Sequence, residues 1–161
     1  MSQQKGKCLA VVRIRGRAKV PERRVFAFKT LNLTRTNHAT LIAETASSIG
    51  ALRELKDYIT WGEVSKNAII SLLKERAELK SGTKLTEENV KEKLGYDSIE
   101  KLAEAVYTTE IKLNKIQNLK PVFRLHPPKH GLKGKRIKSF SAGGETGYRG
   151  EAINNLLERM I

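Results

Sequence analysis

Residues 8–15 (CLAVVRIR) alternate so that Cys8, Ala10, Val12 and Ile14 point one way while Leu9, Val11, Arg13 and Arg15 point the other. Leu9 and Val11 are apolar as well, so the start of this strand has to be covered on both faces. That requirement constrains the chain more than anything else in it. Gly16 ends the strand, and 16–20 is a basic loop. Pro21 opens a helix to about Leu31, with Val25, Phe26, Phe28 and Leu31 as its expected buried side. A second strand is expected over 36–44, and a second helix over 47–57 with Ile49, Leu52 and Leu55 inward. A third strand (58–64, YITWGEV) carries the single tryptophan, Trp61, as a core residue and ends near Gly62. The pattern is β-α-β-α-β with short loops, which puts both helices on one face of a small three-stranded sheet. Local pattern leaves the strand order open.

The remainder reads as an extension. Ser65 caps a helix to about Lys80, with Ala68, Ile69, Leu72, Leu73 and Ala77 inward. A shorter helix follows over 86–94, and Asp97 with Glu100 suggests a capping box for a helix over 98–108. Residues 115–118 lead to a short strand at 122–125, and a closing helix over 151–160 has Ile153, Leu156 and Leu157 inward. The expected organisation is a core domain over 1–64 and, over 65–161, a helical extension with a basic loop at about 127–150. The length, 161 residues, suits one domain with such an extension.

Charge is the informative part of the composition. Thirty-one Lys and Arg against seventeen Asp and Glu give +14. Residues 1–40 hold ten basic and one acidic side chain (+9), residues 41–112 eleven and thirteen (−2), and residues 113–161 ten and three (+7). Two cationic segments therefore flank a near-neutral middle, and such segments attract polyanions through phosphate contacts and counterion release.

The first candidate site is Arg13, Arg15, Arg17, Lys19, Arg23 and Arg24, with Arg35 further along the same segment. Arg23 and Arg24 fall in a helix's first turn, where cations oppose the dipole and only Glu22 offsets them nearby in sequence. A phosphate bound there would remove the conflict. The second site is 127–149, where Lys129, Lys133, Lys135, Arg136, Lys138 and Arg149 are interspersed with glycines, and His130, Phe140 and Tyr148 offer stacking planes. With so few apolar anchors, this stretch is expected to be ordered only if something holds it.

Enzyme readings find no support. Gly131-Leu132-Lys133-Gly134 matches a KH-type GxxG, but a strand precedes it where a helix is needed. The GxxxxGK[ST] phosphate loop is absent, and His38, His126 and His130 lack any zinc-like setting. The carboxylates of 41–112 sit among lysines at helix-face spacings, as solvated surface does. Cys8, the only cysteine, allows no internal disulfide and reads as a small core residue. The apolar runs fall well short of the roughly 20 residues of a membrane helix. The polar start, Met1 to Lys7, lacks a signal-peptide core, so the expectation is a soluble cytoplasmic protein.

Four segments resemble one family: 11–16 (VVRIRG), 58–62 (YITWG), 123–128 (FRLHPP), and 143–149 (GGETGYR) with 153–160 (INNLLERM). In order and spacing they are similar to the large-ribosomal-subunit protein thirty family in its long archaeal form, a relative of eukaryotic large-subunit protein seven. The short lead before Cys8 fits that archaeal type. The resemblance implies an α+β fold with a ferredoxin-like β-α-β-α-β core and a helical extension. It also implies a structural role bound to large-subunit (23S-type) rRNA near 5S rRNA, among neighbouring ribosomal proteins. No catalysis, cofactor, metal, membrane or small-molecule substrate is implied. RNA contacts would come from Arg13, Arg15, Arg17 and nearby cations, and from 129–149. The competing expectation is a general RNA-binding chaperone or small-RNP protein.

Overall fold

A computed structural model describes residues 6–161, and the first five, part of the polar lead, lie outside the described residues. The fold is α+β, around one six-stranded sheet in the order β4-β2-β1-β3-β6-β5. The strands are β1 (Cys8–Arg13), β2 (His38–Ala43), β3 (Ile59–Glu63), β4 (Phe123–Arg124), β5 (Lys135–Ser139) and β6 (Gly144–Tyr148). β1 lies antiparallel to both β2 and β3, β4 antiparallel to β2, and β6 parallel to β3. The expected three strands are thus the centre of a sheet twice as wide.

The alternation in β1 sorts the core into two layers. Leu9 and Val11 face α1 (Glu22–Thr30) and α2 (Ala46–Glu54), in a cluster with Phe28, Leu33, Leu52, Leu55, Tyr58, Ile59 and Trp61. Cys8, Ala10 and Val12 face the other layer, which gathers Ile69, Leu72, Leu73, Leu102, Val106, Ile153, Leu156 and Leu157. That layer comes from α3 (Lys66–Arg76), α5 (Ile99–Tyr107) and α6 (Ala152–Met160). Between α3 and α5, α4 (Glu87–Asn89) runs into a π-helical turn, Val90–Leu94.

Several boundaries differ from the sequence reading, each for a local reason. α1 buries only Phe28; Phe26 is 73% exposed and Val25 39%. α2 starts at a capping box between Thr45 and Ser48. α3 stops at Arg76, because Glu78 and Leu79 bridge Lys84 and Leu119 instead of continuing the helix. Ser98, not Asp97, caps α5 by accepting from the Lys101 N–H, and Asp97 pairs with the Lys101 side chain at 2.7 Å.

The largest departure is the glycine-rich stretch expected to be a loop. It contains β5, a 3-10 turn at Phe140–Ala142, and β6, of which Gly144 to Gly147 are buried. β6 has no apolar alternation and becomes a strand because it pairs along β3. Gly62 permits the neighbouring close approach: a Cβ there would lie 1.9 Å from the Gly150 carbonyl oxygen.

Candidate nucleic-acid interface

The register gathers the two basic segments at one end of the sheet. Arg13 closes β1 opposite Ile59, which opens β3. His38 opens β2 beside Arg124, at the close of β4. Lys135 opens β5 beside Gly144, the start of β6, and β6 runs parallel to β3. This end therefore carries the 14–24 segment, the approach to β2 with Arg35, and the turn through Lys129 to Lys135.

Within that end, Arg17, Lys19, Arg23, Arg35, Arg124, Lys129, His130, Lys133, Lys135, Arg136 and Lys138 are exposed. Lys19 and His130 both adopt left-handed backbone (φ 56° and 64°), at turns whose side chains are exposed. Arg17 donates from Nε to the Thr34 carbonyl at 3.1 Å, joining the two approaches to the sheet. Arg15 is half-buried, donating to the Asp57 carbonyl at 3.3 Å with its guanidinium 5.0 Å from the Tyr58 ring centre. All five side chains of β5 are exposed, so its cations stand free on both faces of an edge strand.

Three of the expected contact residues are engaged within the protein. Arg13 is 2% exposed and donates to the carbonyls of Arg15, Leu33 and Gly16 at 2.9, 2.7 and 3.2 Å. Its guanidinium lies 3.8 Å from the Phe28 ring centre, so it braces the loop that presents its neighbours. Arg149 is 8% exposed, donating to Thr60 Oγ1 at 2.6 Å and to the Glu145 carbonyl and carboxylate at 2.7 and 2.9 Å. Tyr148 reaches toward the opposite end, where its hydroxyl donates to the Glu63 carboxylate at 2.6 Å. That hydrogen bond, then burial and the charges of Glu63, Glu44 and Glu151, hold the phenol above its ordinary range.

Nor are Arg23 and Arg24 uncompensated. Arg23 pairs with Glu54 at 2.7 Å, and Arg24 lies 3.9 Å from Asp57, so the end of α2 and the turn after it supply the carboxylates that the neighbouring sequence lacks.

The glycine-rich segment is held from within. Glu145 accepts from the Gly134 N–H at 2.8 Å, and Thr146 donates to the Lys138 carbonyl at 3.0 Å. Arg159 of α6 donates to the Lys129 carbonyl, from Nε at 3.1 Å, and to that of Gly131. Arg159 and Arg124 were outside the residues singled out from sequence, since each is a lone cation in an otherwise ordinary element.

His38 records the field of this end. Burial first, then Arg124, Arg35 and Arg13, lower its pKa from the ordinary 6.5. Its Nδ1 is buried without a hydrogen-bond partner among the described residues.

These features define a small basic α+β protein whose sheet concentrates exposed cations at one end. Three archaeal proteins, each named large ribosomal subunit protein uL30, are similar to this chain. That of Methanosphaera stadtmanae is 48% identical over 152 residues, covering 94% of this chain and 99% of the relative. That of Methanopyrus kandleri is 48% identical over 134 residues, covering 83% and 90%. That of Korarchaeum cryptofilum is 43% identical over 153 residues, covering 95% and 94%. No protein-family model matches the chain. The chain belongs to the large ribosomal subunit protein uL30 family, in its archaeal type.

Proposed function

We propose that the chain is a structural, non-enzymatic constituent of the large ribosomal subunit in the cytoplasm. It binds large-subunit rRNA, near 5S rRNA and beside neighbouring ribosomal proteins, through the basic end of its sheet. The observation that carries this reading is the convergence of two cationic segments, far apart in the chain, at one end of the sheet through the β1–β3 and β3–β6 registers. Counterion release from phosphates favours binding at such a surface without any sequence-specific contact. In this reading 1–64 is a ferredoxin-like core. The extension, 65–161, adds β4, β5 and β6 to its sheet and covers the second face with α3, α5 and α6.

The RNA-facing set is Arg15, Arg17, Lys19, Arg23, Arg24, Arg35, Lys129, His130, Lys133, Lys135, Arg136 and Lys138, with Arg13 and Arg149 in supporting positions. Two measurements test it. The chain should co-sediment with large subunits on sucrose gradients through washes at moderate salt. Replacing Arg17 and Arg35 by Gln should weaken binding to transcribed large-subunit rRNA and flatten its log–log salt dependence, by roughly 0.7–0.9 for each phosphate no longer neutralised. Equal affinity for unrelated RNAs, with no chain in the subunit fractions, would favour an RNA chaperone instead.

A further inference from the structure

Two phenylalanines of α1 have opposite fates. Phe28 is 2% exposed and packs under the Arg13 guanidinium, whereas Phe26 is 73% exposed. Phe26 leaves most of its ring in water beside Val25, itself 39% exposed, and the cations around it distinguish it from an ordinary surface apolar residue. Its surroundings on the helix identify the partner. Arg23 and Lys29, three residues before and after, are exposed and lie within reach of whatever covers the ring. The Thr30 hydroxyl turns back to the Phe26 carbonyl at 3.1 Å and adds no free polar group. Glu22 is the one carboxylate that α1 itself places on this arc, in the first turn, where it complements the positive end of the helix dipole. Glu54 of α2 meets Arg23 at its edge, at 2.7 Å, and leaves the Arg23 side chain 81% exposed. Arg17 and Lys19 lie in the loop that leads into the helix.

We infer that Phe26 is a stacking platform for an unpaired RNA base, with Arg23 and Lys29 on the flanking phosphates. This rests on the rRNA-binding reading above and adds to it the kind of RNA element bound. An apolar wedge entering a paired helix must first unstack it, at a few kcal/mol per step. A base already turned out of a loop or bulge offers its face without that penalty, and every base has one.

Binding of transcribed archaeal large-subunit rRNA by the full chain, measured by filter binding across a salt series, tests the inference. Phe26→Ala should bind about fivefold to a hundredfold more weakly, the range that stacking one base on an aromatic ring carries. The salt slope should stay that of the wild type, because a ring releases no counterions. Phe26→Trp should keep the affinity, and its indole emission should be quenched on binding. Phe26→Leu should behave like Phe26→Ala. Since the side chain is exposed, all three variants should melt like the wild type. Wild-type affinity in Phe26→Ala overturns the inference and leaves the rRNA-binding reading standing. Full affinity in Phe26→Leu also overturns it, by showing an apolar contact with no stacking. Normal rRNA binding by Phe26→Ala with loss from assembled subunits does so as well, by assigning the ring to a protein neighbour. A wild-type chain that does not bind the rRNA overturns both readings together.

Discussion

The Arg149 guanidinium lies 2.9 Å from the Glu145 carboxylate, with side chains 5% and 8% exposed. Thr60 Oγ1 accepts from the same guanidinium, and Gly134 donates its N–H to the same carboxylate. One buried ion pair thus ties β6 to β3 on one side and to the entry of the basic segment on the other. Arg149, expected from the sequence as an RNA contact, is buried and clasps the basic segment to the sheet.

Replacing Arg149 by Met should therefore leave a buried carboxylate unpaired, with a loss of about 3–5 kcal/mol in urea denaturation. The double change Arg149→Met with Glu145→Leu should recover much of that loss. A single variant within about 0.5 kcal/mol of the wild type would show that the pair does not hold the fold.

Trypsin should cut first among Lys133, Lys135, Arg136 and Lys138, all exposed on or beside β5. The nicked chain should nonetheless elute as one body on size exclusion, because the C-terminal piece keeps β6 on the sheet and buries Ile153, Leu156, Leu157 and Met160. Separation of the two pieces without denaturant would mean that this packing is not sufficient.

Phe28→Ala should destabilise by about 3–5 kcal/mol, as enclosed aromatics do. The measure is the contrast with Phe26→Ala, two positions away, which should fall within about 0.5 kcal/mol of the wild type in the same denaturant melts. Similar losses at both positions would contradict the observed orientation of α1.

His38 makes stability depend on pH. Its folded pKa is below the ordinary value, so the unfolded chain binds the proton more readily. The contribution is complete above about pH 6.5 and is lost as pH falls through the folded pKa. Stability should drop as pH falls below about 6.5, ahead of Glu78 and Asp97, which hydrogen bonds from Lys120 and Lys101 hold below the ordinary carboxylate range. His38→Gln should show a smaller drop, and an unchanged profile would remove His38 as its source.

Burial pushes the Cys8 thiol up to about 12. At pH 8 a disulfide reagent should leave the native chain unmodified and react once it is unfolded in urea. Rapid labelling of the native protein would show that β1 opens locally.

Much of the first half was legible because its signals are local. The period of two in β1 correctly divides Cys8, Ala10 and Val12 from Leu9 and Val11, and those two sets face the two layers of the core. Ser65 at the head of α3 and the apolar stripe of α6 were readable for the same reason, since caps and helical periods need only nearby residues. The two cationic segments were visible as plain charge.

What sequence could not supply depends on partners distant along the chain. Arg13 falls on the same face of β1 as Leu9 and Val11, but that its guanidinium lies over the Phe28 ring follows only from where α1 packs. Residues 144–148 contain two glycines and no aliphatic alternation, and they form a strand because the edge of β3 offers hydrogen-bonding partners. The arc of α1 that faces the sheet is likewise set by packing, which enclosed Phe28 and left Phe26 outside. By itself the sequence determined the order of the early elements, the division of β1 between two faces and the amount of positive charge. Only the tertiary structure decided that the charge gathers at one end and which arginines hold that end together, because antiparallel and parallel pairing bring remote strand ends side by side.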